Sequence, residues 1–170
     1  MNHGKLNIDL PFPIIVFNGN DIDVIQETEH YLMCKKSRIP ILAKFKETIM
    51  DCYGNEYIRT DIKPLKHINM FYGFSLPFGG FGVCYLEIKI EKIKALSNDE
   101  LKERGRKIIN SKRKLYSGTT LNFKKWEKEF YDLADKEDIL RYLFYFAKYE
   151  YYVAPDNGDQ RWRARRYLKP

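Results

Sequence analysis

Apolar and polar residues alternate most regularly from Val83 to Lys92, where Cys84, Leu86, Ile88 and Ile90 fall on one side and Tyr85, Glu87, Lys89 and Glu91 on the other. A period of two over this length predicts a sheet strand with one buried face. Further upstream, Phe45–Ile62 reads as two strands around Asp51-Cys52-Tyr53-Gly54. Asp suits the first position of a type I turn, and the Gly after it can take the left-handed conformation that closes a hairpin. The arms are rich in β-formers, with Phe45, Thr48 and Ile49 before the turn and Tyr57, Ile58, Thr60 and Ile62 after it. The short apolar run Ile14–Phe17, the turn formers Asn18-Gly19-Asn20-Asp21 and the alternating Asp21–Ile25 predict a second hairpin.

Helical spacing takes over at both ends of this sheet-forming region. Thr28 is placed to cap a short helix over Glu29–Met33, with acidic Glu29 in its first turn, and Pro40 ends the stretch that follows. Ser97 with Glu100 three positions on is a capping box, predicting a helix from about Asn98 to about Ser111. That helix would bury Leu101, Ile108 and Ile109 and expose Lys102, Arg104, Arg106 and Lys107. A next helix, capped by Thr120 or Asn122, carries Phe123, Trp126, Phe130 and Leu133. Either Asp135 caps another or the same helix runs on; Ile139, Leu140, Leu143, Phe144, Ala147 and Tyr151 widen the apolar stripe. These patterns predict an α+β protein with a mainly antiparallel sheet of hairpins, about five strands, packed against C-terminal aromatic-rich helices.

Length and composition agree with this picture. A chain of 170 residues with 44% hydrophobic and 15% aromatic residues can bury a substantial core without staples. We read residues 1–154 as a single α+β domain and 155–170 as a basic C-terminal tail that opens at Pro155-Asp156-Asn157-Gly158. Cys34, Cys52 and Cys84 are odd in number and widely spaced, which matches neither a disulfide framework nor a C-x-x-C pair. With no signal-peptide pattern and no run approaching a membrane span, the expected location is the cytoplasm, away from the membrane.

Charge is unevenly placed. The net charge is +7, but residues 1–101 total −1, 102–128 total +8, 129–152 total −3 and 153–170 total +3. Electrostatic partners are therefore sought at 102–128 and in the tail. The tail sequence Arg161-Trp162-Arg163-Ala164-Arg165-Arg166 mixes cations with a stacking ring, and extended geometry puts Arg161, Arg163 and Arg165 on one side. The stretch Met70–Val83 holds four glycines and four phenylalanines in no phosphate-binding pattern, so Phe78 and Phe81 are core residues or partner anchors. Arg161, Trp162, Arg163, Arg165, Arg166, Phe78 and Phe81 form the expected partner-binding set.

Catalytic constellations are sparse. His3, His30 and His67 share no helical spacing, so no zinc-protease pair is present, and neither a metal nor another cofactor is expected. A Cys–His nucleophile such as Cys84 with His67 would have to form in the fold, where Cys84 faces the core. Glu87-Ile88-Lys89, with Asp51 or Asp61, matches the acidic-x-Lys core of Mg²⁺-dependent nucleases, although alternating charge on a wet strand face is the commoner origin of that pattern.

Taken together, Ile14–Phe17, Asp21–Ile25, Glu29-His30-Tyr31-Leu32, Asp51-Cys52-Tyr53-Gly54 and Ser97-x-x-Glu100-Leu101 resemble a family of small bacterial immunity proteins encoded beside polymorphic toxins. The resemblance covers residues 14–110 or so; the aromatic helices and basic tail after residue 115 depart from it, as does the basic charge. It implies no catalytic residues. It implies an inhibitor that occludes a cognate toxin domain, here one with an acidic surface. The alternatives are a nucleic-acid-binding accessory protein using 102–128 and the tail, and the E-x-K nuclease.

Overall fold

The computed structural model describes residues 4–19, 21–67, 83–115, 122–148, 151–152 and 163–164. Backbone contacts divide the chain into two compact units, Met1–Ala95 and Leu96–Pro170. The fold is α+β.

The first unit is built on a mixed, mainly antiparallel sheet of seven strands: β1 (Lys5–Leu6), β2 (Ile14–Asn18), β3 (Asp21–Ile25), β4 (Met33–Lys35), β5 (Thr48–Met50), β6 (Asn55–His67) and β7 (Val83–Ala95). The five strands read from sequence are all present, and the two additions, β1 and β4, are too short to carry a period. Strand order is β1-β7-β6-β5-β2-β3. Both predicted hairpins form, β2 with β3 and β5 with β6. β4 and parallel β1 follow one another along the same edge of β7, and Leu86 N–H donates to Leu32 O (2.8 Å) just beyond β4. Past β1, the Asn7 side chain continues the pairing, donating to Ile90 O (2.9 Å) and accepting from Ile90 N–H (2.8 Å).

Cys84, Leu86, Ile88 and Ile90 are at most 2% exposed, as their alternation predicts, and join Ile14, Val16, Ile49, Tyr57, Tyr31, Leu32 and Leu10 in one core. On β2 the neighbours Ile15 and Phe17 are buried too, so both faces of this strand are covered. Gly4 passes so close to Leu32 and to β7 that an added Cβ would lie 2.5 Å from Leu32 Cβ.

Two short helices depart from the sequence reading. α1 (Thr28–Tyr31) has Glu27 as its N-cap and no side-chain cap, so Thr28 is the first helical residue and Met33 already belongs to β4. Pro40 does not end a segment. It lies in the first turn of α2 (Ile39–Lys44), where its fixed φ and missing N–H cost nothing.

The second unit holds α3 (Asn98–Leu115), α4 (Phe123–Tyr131) and α5 (Lys136–Lys148), with β8 (Tyr151–Tyr152) pairing antiparallel to β9 (Arg163–Ala164). The capping box forms in both directions, Glu100 N–H to Ser97 Oγ (3.3 Å) and Ser97 N–H to Glu100 Oε2 (2.9 Å). Asn122 caps α4 through Lys125 N–H (3.0 Å), and Asp135 caps α5 through Glu137 N–H (2.8 Å). Leu101, Ile108, Ile109, Phe130, Ile139, Leu143 and Phe146 are buried. Phe146 is the hub of an aromatic cluster, in ring contact with Trp126, Phe130, Tyr142 and Tyr145. Gly105 lets α3 approach so closely that an added Cβ would overlap the Phe130 ring.

Candidate functional site

The hairpin 45–62 carries two buried polar clusters, and each one bonds the backbone beside exposed apolar side chains. The first surrounds Asp51, which is fully buried. Its Oδ1 accepts from Tyr53 N–H (2.9 Å) and Asn55 N–H (2.8 Å), and its Oδ2 accepts from Asn55 Nδ2 (2.8 Å) and the Tyr57 hydroxyl (2.9 Å). Gly54 completes the turn in the left-handed region, φ 78°, with its N–H on Asp51 O (3.1 Å). Burial, then the hydrogen bond and charge of Asp51, push the Tyr57 phenol up to about 12. The ring of Tyr53 is left 66% exposed at the tip. At the same end of the sheet, Glu56 pairs with Lys94 and Tyr57 with Lys92, which makes Ile93 the extra residue of a bulge, 50% exposed.

The second cluster is Tyr31, Glu47 and Arg59, all buried. Arg59 forms an ion pair with Glu47 (2.7 Å), and its other terminal nitrogen donates to Leu42 O and to Phe45 O (2.8 Å) at the C-terminal end of α2. The Tyr31 hydroxyl donates to Glu47 Oε2 (3.5 Å), and Arg59 N–H donates to Glu47 O (3.0 Å). Burial raises the Glu47 carboxyl above its ordinary value and outweighs the lowering by Arg59; burial, then Glu47, also raises Tyr31 strongly. This cluster clamps the end of α2, from which Ile41 (55% exposed) and Phe45 (52%) project four residues apart. Exposed Lys44 and Lys46 flank Phe45, as exposed Lys92 flanks Ile93.

Asp51 and Glu47 are thus satisfied internally. The sequence revealed the turn that carries Tyr53 but not its exposure, and nothing in the pattern linked Glu47 to Arg59.

The other predicted groups are placed as follows. Glu87 and Lys89 share a face of β7, as the period requires, and stand opposite Lys63 and Asp61 of β6. Lys63 reaches Asp61 (3.2 Å) and holds its carboxyl below the usual range. Acid and base therefore alternate across the ribbon in both directions. Asp51 is absorbed by its turn and does not join them, and no group of three potential metal ligands occurs among the described residues.

Cys84 and His67 do meet in register, as Cα partners on β7 and β6, and Cys34 stands opposite Cys84 on the other side. His30 is exposed on α1. Within 102–128, Lys102 and Arg104 are half-buried rather than exposed, and several cations are engaged internally. Lys102 donates to Tyr131 O (2.8 Å), Arg106 to the Tyr131 hydroxyl (3.0 Å), and Arg113 pairs with Glu127 (2.9 Å). Phe78, Phe81, Arg161, Trp162, Arg165 and Arg166 lie outside the described residues, and Arg163 is placed only as a strand position in β9, opposite Tyr152. No helix among the described residues is long and apolar enough to cross a membrane. No family model matches the chain, nor does any curated protein or solved structure.

Proposed function

We propose that this chain is an immunity-type inhibitor that binds one cognate bacterial toxin domain and neutralises it by occlusion, without chemistry of its own. The observation that carries the reading is that two exposed aromatic residues are tied at their backbones to buried polar groups, Tyr53 N–H to Asp51 and Phe45 O to Arg59. A core gains nothing from an exposed aromatic, whereas an interface gains an anchor whose backbone is already ordered. Lys44 and Lys46 border Phe45, Lys92 borders exposed Ile93, and these cations favour an acidic partner surface.

The test reads the neighbouring genes for a toxin-like domain and titrates that domain with the purified protein, followed by calorimetry and by the toxin's own activity. A stoichiometric complex that silences the toxin is expected. The double substitution Phe45→Ala/Tyr53→Ala should weaken it by roughly tenfold or more while leaving thermal stability nearly unchanged. Undiminished toxin activity at saturating protein, or affinity indifferent to that double substitution, refutes the reading. Binding to arbitrary DNA or RNA that collapses with added salt would replace it with the nucleic-acid alternative.

A further inference from the structure

One row of the sheet sets two thiols against each other. Cys34 and Cys84 are Cα partners on antiparallel β4 and β7, which turns their side chains to the same face. Directly opposed antiparallel residues lie about 4.5–5.5 Å apart between Cα atoms, within the roughly 4.4–6.8 Å that a disulfide spans. Cys84 Sγ lies 3.7 Å from Cys34 O, so the buried thiol already reaches the facing strand. Both thiols are free, Cys84 being 2% exposed and Cys34 only partly covered. Cys52 lies elsewhere, in the turn between β5 and β6.

We propose that Cys34 and Cys84 are an oxidisable pair that closes to a cross-strand disulfide when the protein meets a low-molecular-weight disulfide, fastening β4 to β7. The more accessible Cys34 loses its proton to solvent and its thiolate attacks one sulfur of the small disulfide, which expels one small thiolate and leaves a mixed disulfide. Cys84 then gives up its proton, attacks Cys34 Sγ and expels the second small thiolate. Two protons and two electrons pass from the protein to the small disulfide, which becomes two thiols. Burial, and after it the adjoining Cys84 thiol, keep Cys34 above the ordinary thiol range, with Arg38 and Arg59 acting in the opposite sense. The pair therefore closes slowly at neutral pH and faster in alkali, unlike a catalytic thiol. The inference is independent of the proposed inhibitor function.

The experiment incubates the native full-length protein with oxidised glutathione and maps its peptides without reduction. A linked peptide joining Cys34 to Cys84, with the loss of two hydrogens from the intact mass, is expected, and the oxidised protein should melt higher by roughly 5–10 °C. Cys52→Ser should retain the link, and Cys34→Ser should leave Cys84 unmodified in the native state. Overturning results are glutathione adducts without a 34–84 link, a link through Cys52, or a 34–84 link that forms only after denaturant is added.

Discussion

The Tyr57 hydroxyl donates to Asp51 Oδ2 at 2.9 Å, so the carboxylate that shapes the β5–β6 turn is also bonded to a core tyrosine of β6. Turn and core are thereby one unit, and a change at the tip of the hairpin is felt inside the sheet.

Asp51→Ala removes four hydrogen-bond acceptances at a fully buried position. We expect a loss of about 3 kcal/mol, read as a lower urea midpoint, because the turn loses its bonds and the buried Tyr57 hydroxyl loses its acceptor. Asp51→Asn should cost less, since its amide oxygen can still serve the turn N–H groups.

Arg59→Met leaves the Glu47 carboxylate buried beside an apolar side chain and should cost about 3–5 kcal/mol. Adding Glu47→Leu to that variant should recover most of the loss. A urea-denaturation cycle over the two sites checks the coupling, and strictly additive effects would remove the cluster from any role in holding α2.

Tyr57 gives the stability curve a particular alkaline limb. Its folded value lies at about 12 against 10.0 for an ordinary phenol, so its contribution is complete below pH 10 and is lost as pH rises towards 12. Thermal melts over this range should fall, and Tyr57→Phe should flatten that part of the fall.

Gly105→Ala, ordinarily a helix-favouring change, should destabilise the second unit by about 1–3 kcal/mol, because the new methyl group meets the Phe130 ring. Combining it with Phe130→Leu should relieve part of the cost, as judged by circular dichroism melts.

Reversing Lys44, Lys46 and Lys92 to Glu should slow association with an acidic partner more than it changes Tm. Stopped-flow mixing at two salt concentrations separates this steering effect from contact energy.

Local rules made much of this fold readable. The alternation of β7, the D-x-x-G turn, the capping box at Ser97 and the caps at Asn122 and Asp135 each depend on residues within a few positions, and each is found as read. What stayed hidden depends on distant partners. Thr28 and Pro40 have two compatible uses in a helix start, and only the surrounding chain selects one. Glu47 and Arg59, or Cys34 and Cys84, are ordinary residues until the register sets them side by side. For the candidate site, the turn under Tyr53 was legible, whereas its exposure and the clamp on Phe45 belong to tertiary structure.

The Asn7 amide and the two short strands beside it occupy the rim of β7 from Val83 to Ile90, while Asp21 and Asp23 mark the opposite rim at β3. Among the described residues one margin is thus blunted by two very short strands and the other by charge. Trimming the first seven residues would bare a ready template, and the shortened chain should self-associate into fibres or oligomers that the full-length protein does not form.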